Sequence, residues 1–326
     1  MSTDPRRGGA LLTVLWLAAG LSAIVFTVAN TVRGETERAT NAVDDVRAYY
    51  LATGAVERTI LYMRWGPQHL RPDGSPRYYS PGMSRLYYRF PGGDTDVEIL
   101  PETAKININV APVEELTALL AALAVPLNRA TTIAAAIADW RSPNPAGGPS
   151  LFDTFYLAQR PSFLARHASF EEIEELLVVQ GMTPDLFYGT ITHDINGRLV
   201  PIGGLRDCVT VFGANGQFDV NSAHPAVLQA AGVPPQVVAT IVERRKFAPF
   251  GPNELPMLIQ SAGPAGTRLR LGGSTLFTLR ATARLRLSNG QLSDLRRSVA
   301  ALVKLMPPGY DKPHHIMRWY DNAWRN

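Results

Sequence analysis

The sequence predicts an α+β protein in which a long N-terminal α-helix packs on an antiparallel sheet and a large all-α domain is inserted into the sheet. Three observations carry this. No residue from Gly8 to Val32 is charged, and no proline interrupts the chain between Pro5 and Pro67. Stretches with strand-like alternation lie both early and late in the chain. Between them runs an alanine- and leucine-rich stretch with helical spacing.

The first element begins in "RRGGALLTVLWLAAGLSAIVFTVANTVRGETER". A helix over Gly9–Asn30 rises about 33 Å, enough for a hydrocarbon core of roughly 30 Å. Arg6 and Arg7 precede it and place the N-terminus in the cytoplasm, with the remainder outside. A cleaved secretory signal has a shorter apolar core and a small-x-small site, which "TVAN" matches weakly, so an anchor is the better reading. The helical pattern then continues, with Val43, Val46, Tyr50, Val56, Ile60 and Met63 forming an apolar stripe. One rod from Gly9 to about Trp65, roughly 80 Å long, thus serves the bilayer with one half and a folded domain with the other.

After a loop, "MSRLYYRF" and "TDVEIL" read as a hairpin turned at "PGGD", and "AKININV" as a third strand. Helices follow in "APVEELTALLAALAVPLNRATTIAAAIADW" and, around Gly181, in "SFEEIEELLVVQGMTPDLFYGTI". The strand pattern returns in "RDCVTVFG", "STLFTLRATARLRL" and "LRRSVAALVKLM", with helices Pro225–Arg244 and Asn253–Gln260 between them. "NVAPVEELTALL" recurs loosely as "NSAHPAVLQAAG", each followed by a helix ending in "DWR" or "ERR" and then by "SFEEIEEL" or "FGPNEL". Asn109 and Asn221 are the expected caps of the helices that start at the following prolines. The tail "PPGYDKPHHIMRWYDNAWRN" reads as a partly ordered terminus, with its Tyr310, Trp319, Tyr320 and Trp324 as a docking strip in the alternative.

The N-terminal 60 residues resemble those of the type IV pilin-like proteins, and specifically the minor pseudopilin GspK family of type II secretion systems. The Asn-Ala-Pro segments, "SFEEIEELLVVQGMTPDLF" and the closing hairpin extend the resemblance over most of the chain. It implies a pilin-like fold and a basic leader, residues 1–8, removed by a prepilin peptidase after Gly8, so that the mature chain begins at Gly9. It further implies a rod over 9–65 (9–30 in the membrane), a pilin-like α+β domain in two parts (66–110 and 201–306), a helical insert over 111–200 and a tail over 307–326. The fifth mature residue, Glu in most pilins, is Thr13. That carboxylate neutralises the amino terminus of the subunit ahead, so its absence fits a subunit at the leading tip. The implied function is non-enzymatic. The protein would help initiate pseudopilus assembly and protein export, held in the inner membrane with a periplasmic soluble part. The implied partners are I-, J- and H-type minor pseudopilins, with the secretin and secreted substrates beyond them. A minor pilin of a type IV pilus would use the same N-terminus.

The residues themselves point away from catalysis. Cys208 is the single cysteine, so no internal disulfide forms. The six histidines have no zinc-site spacing, and no phosphate loop or nucleophile elbow is present. The net charge of +4 gives no footprint for nucleic acid. A membrane-anchored helix-hairpin-helix DNA-uptake protein is the alternative of a different class. Its hairpins need glycines and free N–H groups, whereas the turns here read "AVP", "GVP" and "GMT". No cofactor is expected. The GspK resemblance leaves calcium open in "DWRSPNPAGGPSLFD", where Asp139 and Asp153 supply the carboxylates, and carbonyls of Asn144 or Gly147 would have to add to them.

Overall fold

The computed structural model describes residues 6–66, 68–143, 148–193, 197–213, 216–307 and 309–323. A single helix, α1 (Arg6–Trp65), leads into the hairpin β1 (Arg85–Phe90) and β2 (Gly93–Pro101). Next come β3 (Ile106–Asn107), α2 (Val113–Ala122), α3 (Leu127–Arg141), α4 (Asp153–Leu157) and α5 (Pro184–Tyr188). Short strands follow: β4 (Gly189–His193), β5 (Leu199–Gly203), β6 (Val209–Thr210) and β7 (Phe218–Asp219). After α6 (Pro225–Ala230), α7 (Pro235–Arg245) and α8 (Leu255–Ser261), the chain closes with β8 (Leu269–Arg270), β9 (Leu276–Arg286), β10 (Leu292–Leu305) and β11 (His314–Tyr320).

The main sheet has the order β1-β2-β9-β10-β11 and is antiparallel throughout. Alternation puts Val97, Ile99, Leu279, Ala281, Ala283, Val299, Ala301 and Val303 on the face that meets α1. The opposing stripe of α1 is Ala52, Ala55, Val56, Ile60 and Met63, with Ala48 also buried one turn below. Small residues on both surfaces let helix and sheet approach closely, and the 3–4 residue spacing keeps the contact on one helix face. This corrects the expected stripe at its lower end: Val43, Val46 and Tyr50 are 50%, 53% and 67% exposed. Their periodicity is real, but it belongs to a face that the sheet does not cover.

Other expectations are corrected as well. "AKININV" and "RDCVTVFG" yield only β3 and β6, which pair in parallel with each other and not with the main sheet. The first helix expected around Gly181 is a 3-10 turn, Ile173–Val178. Pro225–Arg244 is two helices, because Gly232 takes φ +91 and turns the chain between α6 and α7. The tail is ordered as β11, the fifth strand, hydrogen-bonded along β10; Trp324 lies outside the described residues.

The helices share one apolar cluster running from Ala104 to Leu269, separate from the rod-and-sheet core. Within it the internal repeat becomes two copies of one unit. In the first, the Asn109 side chain exchanges two hydrogen bonds with the backbone of Phe170, at 2.9 and 2.7 Å. In the second, Asn221 does the same with Phe250, at 3.2 and 2.7 Å. These asparagines are therefore latches and not the helix caps expected of them; His224 caps α6 instead. Arg141 at the end of α3 donates to the carbonyls of Ile108 and Ala111. Arg245 at the end of α7 donates to those of Val220 and Ala223. Both units close with a parallel two-strand pair, β3–β6 and β7–β8.

Candidate functional site

The N-terminal part of α1 stands free of the folded body. Its most apolar 18-residue window has mean hydropathy 2.3 and is 0% buried, so the helix fits a single-pass anchor carrying a soluble domain. Gly8 and Gly9 lie near the start of α1; residues 1–5 of the expected leader are outside the described residues. Thr13 donates its hydroxyl to the carbonyl of Ala10 at 2.9 Å. A threonine here is thus satisfied by its own helix, whereas a carboxylate would need a cation from a neighbour. Beyond that apolar window, Val43, Val46 and Tyr50 are exposed on α1.

The structure brings Asp139 and Asp153 together, through residues the sequence did not single out. Asp153 is fully buried. Its Oδ1 accepts from the Ala165 N–H at 3.2 Å, and its Oδ2 from the Ser150 N–H at 2.8 Å and from His167 Nε2 at 3.0 Å. Ser150 Oγ donates to Asp139 Oδ2 at 2.9 Å. The other ring nitrogen of His167 lies 3.1 Å from the carbonyl of Ser142. Both nitrogens face acceptors, a geometry that favours the ring protonated on both, which donates to each. Burial opposes the charge on Asp153, but the bonds from His167, Ser150 and Ala165 hold its carboxyl below the usual range. Burial likewise opposes the charge on His167, and the bonds to Asp153 and Ser142 outweigh it and raise the imidazole. His167 sits at φ +47, a left-handed conformation that aims the ring into this network.

Calcium takes six to eight oxygen ligands. The oxygens of Asp153 are already committed to N–H donors, and one from Asp139 to a hydroxyl. Among the described residues no group of three or more His, Cys, Asp and Glu side chains is placed to hold a metal. The carbonyls of Asn144 and Gly147 lie outside the described residues. The carboxylates present do not fit the ion.

The turns of the helix-hairpin-helix alternative are also visible. Ala124 at φ +63 and Gly232 at φ +91 precede α3 and α7, which begin behind Pro126 and Pro234, residues without an N–H to offer a phosphate. Arg129 is spent on the carbonyl of Gly181 at 2.9 Å, and Arg245 on Val220 and Ala223. The Cys208 thiol is buried and pushed up by desolvation, which makes it unreactive. Between the back of the main sheet and the helical lobe lies a cleft of about 740 Å³, flanked by Leu302, Arg280, Arg318, Glu172 and Ile191. Arg318 of β11 pairs with Glu172 across it.

These features define a class: a pilin-like protein with one apolar rod, a sheet seated on that rod and a duplicated helical lobe inserted between strands. Residues 96–189 match the family model described as type II secretion system (T2SS), protein K. The chain is also similar to a chain in the crystal structure of the GspK-GspI-GspJ complex from the enterotoxigenic Escherichia coli type 2 secretion system. That likeness has TM-score 0.53 and 18% identity, covering 87% of this chain and 99% of the other. Comparison with curated proteins gives no match. The protein K segment runs from β2 to the start of β4, well away from the N-terminus that resembles GspK, so two separate stretches of the chain point to the same family.

Proposed function

We propose that this protein is a minor pseudopilin placed at the tip of a type II pseudopilus, where it helps start assembly and export without chemistry of its own. The observation that carries this is Thr13, whose hydroxyl is closed onto Ala10 in the position where a fibre subunit needs a carboxylate. A subunit with none ahead of it has no amino terminus to neutralise. The face formed by Val43, Val46 and Tyr50, exposed beyond the bilayer span, gives a neighbouring rod an apolar surface to pack on. The rod sits in the inner membrane with its N-terminus cytoplasmic and its head periplasmic, following the charge of Arg6 and Arg7. Prepilin peptidase cuts after Gly8, and I-, J- and H-type minor pseudopilins are the direct partners, with the secretin and exported proteins met at the tip.

The test is complementation of a secretion strain lacking the gene. Wild type restores export, and N-terminal sequencing finds Gly9 first. Thr13→Glu, which puts an unmatched carboxylate into the helix bundle at a cost of several kcal/mol, lowers export at least several-fold. Full export with Thr13→Glu, or a mature chain beginning beyond the apolar segment, refutes the tip assignment. A gel shift that weakens steeply with salt would instead favour DNA uptake.

A further inference from the structure

The loop between α3 and α4 must be pinned to the helical lobe, and in this chain the pin is made of side chains. Asp153 and Asp139 both bond Ser150, while His167 bridges Asp153 to the carbonyl of Ser142 at the end of α3. The Ala165 N–H adds a third contact to Asp153, and Ala168 N–H bonds the Trp140 carbonyl at 3.2 Å. The His167 ring therefore occupies an oxygen of the buried carboxylate that a cation would need as a ligand, and its left-handed backbone holds it there.

We propose that His167 replaces a bound cation as the staple of the helical lobe, so that this protein folds and holds its lobe without calcium. The staple has a specific construction: Asp153 is the buried acceptor, His167 the bridging donor, and Ser150 the link to Asp139. A cation entering the site would have to displace the ring from Asp153 and the Ser150 N–H with it. The proposal concerns folding alone, so its outcome is separable from whether the chain works in secretion.

The full-length chain, purified in detergent, is melted in millimolar CaCl2 and in EDTA, and titrated with Tb³⁺, whose luminescence Trp140 and Tyr156 of this lobe would sensitise. The expected result is the same melting midpoint in both buffers, no saturable Tb³⁺ signal, and a midpoint lowered by roughly 5 °C or more in His167→Ala. Should His167→Ala fail to fold, Ser150→Ala and His167→Gln each remove part of the network and should lower the midpoint by less. A calcium-dependent rise in the wild-type midpoint, a saturable Tb³⁺ signal, or a His167→Ala midpoint equal to wild type would overturn the proposal.

Discussion

Replacing Asn221 by alanine tests the duplicated latch. The Asn221 side chain is 8% exposed and donates to the Phe250 carbonyl while accepting from the Phe250 N–H, at 3.2 and 2.7 Å. Asn221→Ala strands both backbone groups of Phe250 in a buried place. Each such group costs about 1–3 kcal/mol, so the loss should be about 2–6 kcal/mol. For a lobe of this size that is a melting shift of roughly 5–20 °C. Asn109→Ala, at the equivalent but less buried position, should cost less. Glu243→Ala is the control: it removes only the exposed pair with Lys246 and should change stability by at most about 0.5 kcal/mol. Thermal melts of the full-length chain in detergent give the totals, and hydrogen exchange at Phe250 reports the latch directly. If Asn221→Ala melts within 1–2 °C of the Glu243→Ala control (about 0.5 kcal/mol), or if exchange at Phe250 stays slow, the latch contributes nothing and the repeat is only a likeness of sequence.

Ala124→Gly should stabilise the protein by up to about 1 kcal/mol, since φ +63 suits glycine, and Gly232→Ala should destabilise it by a similar amount; chemical denaturation reads both. Gly93→Ala should be far worse, above roughly 3 kcal/mol, because a Cβ there meets the Arg284 carbonyl across β2 and β9; loss of soluble expression or a collapsed melt is the readout. His224 gives a pH dependence of known sign. Burial lowers its imidazole from the ordinary 6.5, Arg245 acts the same way and Asp207 opposes, while the neutral ring accepts the Ala226 N–H as helix cap. Below 6.5 the unfolded chain takes up the proton first, so this contribution is whole above 6.5 and fades as pH falls toward the folded value. His224→Asn keeps a cap and should show a smaller difference between neutral and mildly acid melts than wild type does.

The rod was legible because a charge-free run and a proline-free pattern are local properties, and the hairpin strands because alternation is local too. The direction of the lower stripe is not: Val43, Val46 and Tyr50 have the right period, but the sheet covers the face that carries Ala48 and Ala52. The repeat is visible in its Asn, Pro and Arg positions, but the nearest local job for the asparagines is a cap, whereas their partners Phe170 and Phe250 lie 61 and 29 residues away. "DWR" and "ERR" were the available signal for Arg141 and Arg245. His167 had none, since its role depends on a left-handed backbone and on a carboxylate from another turn. The tail hid β11 because its strand pattern is broken by a register shift opposite Leu302 and Val303.

The strand order has a consequence for how the molecule is made. β1 and β2 emerge early, but their neighbour β9 arrives only after the whole helical lobe has been synthesised, and the edge strand β11 comes later still. The lobe, whose contacts are nearer in sequence, can settle first, while the alanine face of the rod waits uncovered for a sheet that closes at the end. A ribosome stalled before β9 would leave the rod with half a sheet. A chain cut before β9 should therefore yield a folded lobe on an unfinished head, prone to degradation.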